Sequence, residues 1–198
     1  MTRYRQTACM ANSYAQPILR TGSLDEALRA ARRLLELADT STIEVDCEAI
    51  ARTPRELDGL LAQIPEADWW PYGPGRPGRS GSSRDGDRPA DHLPVFLSDW
   101  CRPVHTAEVF LAAAGSAPAM VRWDLTGWPA APEIELGPGG TRGAYVTLTA
   151  HARDLYLEEP AGVHTVFVHV AQAEADRAPW LAAQVGLRVI GGPAMAPL

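Results

Sequence analysis

Three aspartates stand where apolar, β-branched runs end: Asp46 in IEVDC, Asp99 in FLSDWC and Asp124 in VRWDL. If those runs are parallel neighbouring strands, their carboxylates gather along one rim, where open α/β sheets bind ligands. Cys47 directly follows Asp46, Cys101 follows Asp99 closely, and His105 lies shortly beyond Cys101. A thiol, an imidazole and a carboxylate together have the chemistry of a Cys–His nucleophile pair or of a transition-metal donor set. Asp99, Cys101 and His105 are therefore the candidate catalytic group. A helix start next to them would favour a thiolate on Cys101. Asp46, Asp124, Trp70 and Tyr72 are the candidate ligand contacts. The same residue types have plainer uses. Aspartate forms turns and caps helices, and a free cysteine is usually buried and inert.

Two histidines, His164 and His169 in HTVFVHV, look like a metal pair. Their odd separation sends them to opposite faces of a strand, so an undistorted strand cannot bring both to one ion. His151 closes another strand pattern and could join either. No metal site is assigned on this basis. The cofactor is unknown, because no GxSxG, HExxH, Walker or correctly placed GxGxxG pattern occurs.

The elements that must position these residues are mixed. SLDEALRAARRLLELA reads as a helix, capped by Ser23 with Glu26 closing a capping box. STIEV reads as a strand. TPRELDGLLAQI is a second helix with Thr53 as cap, Pro54 at its first position and Glu56 closing its box. PVFLSD is a short buried strand, and HTAEVFLAAAG a short helix capped by Thr106 and stopped by Gly115. AMVRWDL, PEIEL, DLYLEE and LRVI read as strands. GAYVTLTAH alternates as a half-exposed antiparallel strand, and GVHTVFVHVA is apolar on both faces and central. Asp176 to Val185 is a short helix. The expected fold is mixed α/β (α+β): one sheet of six to eight strands, partly antiparallel, with about four helices. A single domain spans 1–198, with a flexible insertion over 69–93 and a tail over 191–198.

The insertion, WWPYGPGRPGRSGSSRDGDRP and its flanks, carries no helical or alternating pattern. Its PGRPGR resembles the AT-hook motif of minor-groove binders, but Gly75 stands where the first arginine of that motif belongs. Arg76, Arg79, Arg84 and Arg88 are nearly balanced by Asp85, Asp87 and Asp91, too little excess charge to follow a phosphate backbone. Gly and Ser there cannot bury enough surface to offset ordering, so the segment reads as a tether or, with Trp69, Trp70 and Tyr72 as footing, a lid. Gly162 to Gly191 resembles the opening strand-helix-strand of the vicinal oxygen chelate family. The Phe-Tyr pair of that family's helix is absent, and no family is adopted.

Composition narrows the function. The chain of 198 residues is 46% hydrophobic and 21% charged, enough for an ordinary core. Its net charge of −6 disfavours nucleic acid as partner and suits a basic one. All 18 residues counted as Lys or Arg are Arg, which fits a GC-rich bacterial genome and excludes Schiff-base or phosphate-loop lysine chemistry. Cys9, Cys47 and Cys101 are odd in number and form no CxxC pair, which fits a reducing cytoplasm. The first residues lack the apolar run of a signal peptide, and no apolar stretch is long enough to span a membrane. The expectation is a non-catalytic binding or interaction domain, such as an immunity or accessory protein, with another protein as partner. The alternative is a small enzyme or a ligand- or metal-binding protein using the acidic/Cys/His rim. Limited proteolysis is expected to cut first between Gly73 and Pro89; a chain resistant throughout that stretch would remove the tether reading.

Overall fold

Apolar residues recur at every second position along several segments, and each such segment is a strand that turns those residues to the same side. The computed structural model describes residues 13–73, 88–139 and 143–196. In chain order the elements are β1 (Ser13–Thr21), α1 (Leu24–Leu37), β2 (Glu44–Ala51), α2 (Pro54–Leu61), β3 (Asp68–Pro71), β4 (Val95–Arg102), α3 (Thr106–Ala114), β5 (Ala119–Asp124), β6 (Tyr145–Ala150), β7 (His164–Ala171), α4 (Arg177–Gln184) and β8 (Ala194–Met195). The strands form one sheet in the order β3-β4-β2-β5-β6-β7-β1-β8. Every neighbouring pair is antiparallel. The fold is mixed α+β.

All four helices pack on one face. Their buried residues, among them Ala31 and Leu34, Leu57 and Leu60, Phe110 and Leu111, and Leu181, share one cluster with alternate strand residues. The strand side of that cluster is Val45, Cys47 and Ala49 of β2, Val121 and Trp123 of β5, Val146 and Leu148 of β6, and Val166 and Val168 of β7. Among the described residues, the segment after β6 covers part of the opposite face. There its Ala152 and Leu157 pack on Ile50, Phe96 and Met120, while Leu155 packs with Ala15 and Phe167.

Several elements differ from their sequence reading, each for a local reason. Ser23 accepts from the Glu26 amide at 3.3 Å, but the Glu26 carboxylate accepts from the Thr21 hydroxyl, so only half of that box forms. The box at α2 is complete. His105, without a side-chain cap bond, precedes α3; Thr106 is already inside the helix and buried. Gly115, at φ +60, does stop it. PEIEL is a 3-10 turn, because Pro132 presets its first residue and Glu135 takes a left-handed conformation. DLYLEE is a loop. The Asp154 carboxylate accepts from the amides of Tyr156, Glu158 and Glu159 and outcompetes a strand ladder. LRVI is extended but not in the sheet, whereas Ala194–Met195, in the expected tail, pair with β1. The face of β6 expected to be half-exposed is closed at Thr147 and Thr149, both fully buried.

Two strands carry no strand signature in the sequence. β1 contains Pro17, which argues against a strand interior; the ladder tolerates it because the register with β7 shifts between Pro17 and Leu19. β3 takes Trp69 and Trp70 out of the expected insertion, and Pro89–His92 form a short 3-10 turn at its far side. Residues 74–87 of that insertion lie outside the described residues, as does Cys9.

Thr53→Ala is expected to cost about 1 kcal/mol by removing the cap of α2. Gly143→Ala should cost more, about 2 kcal/mol or above, since Gly143 has φ +86 and a Cβ would stand 2.8 Å from the Ala171 nitrogen. Denaturation midpoints check both; a Gly143 variant no weaker than the Thr53 variant would contradict the packing at the start of β6.

Candidate functional site

β2 and β5 run antiparallel, and the start of the one lies beside the end of the other. Register therefore places Glu44 opposite Asp124, and Asp46 opposite Arg122. One strand further, Asp124 faces Tyr145 and Arg122 faces Thr147. Next, Tyr145 faces His169 on β7. Cross-strand partners share a face, and this row lies on the side away from the helices, where Glu44 is exposed, Asp46, Arg122, Asp124 and Tyr145 are half-buried, and Thr147 and His169 are buried.

The row is bonded together. Arg122 Nη2 donates to Asp46 Oδ2 at 2.6 Å, and its guanidinium carbon lies 5.2 Å from the Tyr145 ring centroid. The Tyr145 and His169 rings meet edge-on at 5.7 Å. His169 Nε2 and the Thr147 hydroxyl are 2.8 Å apart, so the neutral ring is held by that hydroxyl. Burial pushes the His169 imidazole down to about 3, with Arg122 adding to the effect. Burial also raises the Asp124 carboxyl; Arg122 opposes that, while Asp46 and Glu44 reinforce it. The Tyr145 hydroxyl is raised by burial and then by Asp124.

The residues singled out in the sequence are divided by this geometry. Asp46 and Asp124 are in the row. Asp46 also acts on β4, where its Oδ1 accepts the Cys101 amide at 3.0 Å. That bond closes an irregularity between β2 and β4, where the register passes from Cys47 opposite Asp99 to Val45 opposite Arg102. Cys101, exposed and at φ +58, is at this bulge. Asp99 pairs with Cys47 and so points to the helix side, away from Asp46. Its Oδ2 lies 3.5 Å from Arg102 Nε, and burial raises its carboxyl against that cation. Cys47 is buried, and its thiol is pushed up to about 12 by burial and then by Asp99 and Asp46, so it remains protonated. His105 is exposed at the entrance to α3.

Trp70 and Tyr72 belong to the other end of the sheet. Trp70 stacks on Phe96 at 4.9 Å, and both aromatics pack on the cluster of Ile50 and Met120. Asp46 and Ile50 are both on β2, four positions apart, which puts the acidic row and the aromatics about 13 Å from each other. His164 leaves the row altogether and meets His151, their rings edge-on at 4.8 Å. Among the described residues, no group of three or more His, Cys, Asp or Glu side chains is arranged to hold a metal ion.

Arg122, Tyr145 and Thr147 are the members that the sequence does not single out, while His169 is noticed there only in its pairing with His164. A signal for them exists in the alternation of VRWD and YVTLTA, which places polar side chains at every second position, but the strand order that aligns them is not local information.

No family model matches the chain, no curated protein matches its sequence, and no solved structure matches its fold.

The buried imidazole sets a pH dependence. Folded His169 stays neutral down to about pH 3, whereas an unfolded histidine takes its proton near 6.5. Between these values the unfolded chain binds more protons, so stability is complete above 6.5 and declines as pH falls. The raised Asp99 and Asp124 act in the opposite sense, since their folded forms hold protons longer. His164, lowered by burial and then by His151, adds to the acid-side loss. His169→Gln should therefore flatten, without abolishing, the fall in denaturation midpoint between pH 6.5 and 4. An unchanged slope would mean that the ring is charged or solvated in the fold.

Proposed function

We propose that the protein is a non-catalytic binding domain that engages a basic protein partner through Glu44, Asp46 and Asp124 on the sheet face away from its helices, as a small immunity or accessory protein would. The observation that carries this reading is the placement of Glu44, Asp46 and Asp124 on two adjacent strands, with Arg122 beside them. Like charges opposite one another weaken a sheet, and half-burial of Asp124 adds desolvation to that repulsion. A cationic side chain from outside would relieve both. Complementary charge of this kind speeds encounter and selects partners more than it adds raw affinity. Among the described residues no helix is long and apolar enough to cross a membrane.

A second reading, a small enzyme or ligand-binding protein, draws on the same patch. Asp124 and Tyr145 are neighbours whose protons are both held more tightly than usual, which is the property of acid–base groups. In that reading Asp46 and Asp124 contribute from the original acidic/Cys/His rim, with Tyr145 and His169 in place of Asp99 and His105.

Affinity purification from the source cells at low ionic strength tests the first reading. The wild-type chain is expected to retain a protein of basic pI, released steeply as salt rises. A Glu44→Gln/Asp124→Asn double variant, which removes charge without touching the Asp46 bonds, should retain it at least about tenfold less. Retention of no basic protein, or equal retention by the variant, would overturn the proposal. The same double variant should be no less stable than wild type at pH 7, by thermal denaturation.

A further inference from the structure

The segment Leu187-Arg188-Val189-Ile190 has the alternation of a strand, and in the fold it is an extended run without a full ladder. α4 ends at Gln184; two residues on, Gly186 at φ +71 turns the chain, and the Leu187 amide returns to the Ala182 carbonyl at 2.8 Å. From there the chain runs toward β8, which pairs with β1 over Tyr14 and Ala15 only. The Ile190 amide donates to the Pro17 carbonyl at 2.9 Å. Among the described residues the other backbone bonds between β1 and the C-terminal segment lie nearer the start of β1, at β8 and from the Ala196 amide to the Ser13 carbonyl, so 18–21 have none to it, and the amides of Arg188 and Val189 donate to no backbone carbonyl. The two chain segments diverge and leave an open groove of about 410 Å³ lined by Ile18, Leu19, Arg20, Leu187, Arg188 and Ile190.

The lining has a consistent chemistry. Leu187 and Val189 face the main core, while Arg188 and Ile190 face outward, Ile190 with 45% of its surface exposed. Arg20 contributes from β1; it is exposed, and its Nε is 3.5 Å from the Thr165 hydroxyl. Among the described residues neither Arg20 nor Arg188 is in an ion pair, although the chain carries more acidic than basic groups. Two uncompensated guanidiniums flanking an apolar groove, next to unused backbone donors, match one kind of occupant. Main-chain bonds along an exposed edge supply affinity, and alternate side chains supply selectivity.

We propose that this groove takes an extended acidic peptide of a partner protein, added as a short strand along Arg188–Ile190. One of its main-chain carbonyls accepts from the Arg188 amide, which lies on the same side of the run as the Ile190 amide that bonds to Pro17. Its carboxylates meet Arg20 and Arg188, and an apolar side chain between them covers Ile190. The site is independent of the acidic row and of opposite charge, so each can fail without the other.

Selection from a random library of short peptides against the wild-type chain tests the proposal, with an Arg20→Glu/Arg188→Glu variant for counter-selection. Enriched peptides should alternate acidic and apolar residues. Their affinity should fall about tenfold or more in the charge-reversed variant, as expected for lost charge-assisted bonds, and also in Ile190→Asp. Backbone amide shifts on titration should be concentrated at 18–20 and 186–190 in the wild type. Because the substituted side chains are exposed, unchanged spectra elsewhere will show that the variants fold. No enrichment, enrichment of basic peptides, or affinity indifferent to the variants would overturn the proposal. So would binding of a simple amphiphilic carboxylate such as octanoate in the same groove with no peptide bound there.

Discussion

A sheet of eight strands has two faces, and this chain places its four helices on only one of them. That constraint governs the rest of the molecule. On the helix side alternate residues are small or aliphatic, and the strands meet the helices through Ala, Val and Leu. On the other side the same strands must end their polar groups on one another or on short covering segments. Ala152, Leu155 and Leu157 cover part of that side. The same face carries Asp46, Arg122, Tyr145, Thr147 and His169, which are joined by hydrogen bonds and ring contacts, although among the described residues His169 Nδ1 is buried without a hydrogen-bond partner. The candidate site is thus the polar part of the sheet face away from the helices.

The position of that row depends on a buried arginine. Arg177, at the start of α4 and fully buried, donates from Nε to Glu174 at 2.8 Å, from Nη2 to the Gly137 carbonyl at 2.6 Å and from Nη1 to the Pro129 carbonyl. A buried guanidinium is tolerable only when its donors are occupied. Here they tie the loop between β5 and β6 to α4. The same loop carries Trp128, whose indole N–H donates to the His169 carbonyl at 2.8 Å. The backbone of β7 at His169 is therefore held from the helix side while its ring is held by Thr147 from the other. Gly139 packs against the same guanidinium, where a Cβ would come within 3.2 Å of Arg177 Nε.

Asp46 shows how a structural and a functional use can coincide in one carboxylate. One oxygen secures the Cys101 amide at the bulge of β4, and the other secures Arg122. The bulge bends β4 and turns Cys101 outward, while Asp99, two residues earlier, is held on the helix side with Arg102. Alternation along a regular strand would place Asp99 and Cys101, two residues apart, on the same side; the left-handed Cys101 interrupts that alternation and separates them.

The sequence by itself determined what depends on neighbours a few residues apart. The stripe of α1, the full capping box of α2, the Gly115 stop and the alternation of β6 are set by contacts within one or two turns or pleats, so the elements and the mixed α+β class could be read from them. It also determined that Asp46 and Asp124 belong to strands, and that His164 and His169 diverge. Where local chemistry favours a turn, as at Asp154 and Pro132, the apolar letters of DLYLEE and PEIEL misled, because side-chain bonds to nearby amides outweigh β-propensity. What only the tertiary structure decided is strand order, direction and register. Parallel neighbours would have gathered Asp46, Asp99 and Asp124 on one rim. The antiparallel ladder instead pairs Glu44 with Asp124 and Asp46 with Arg122, and sends Asp99 to the other face. Those pairings join residues scores of positions apart, and their energy comes from burying whole faces together, which no short stretch of the chain encodes.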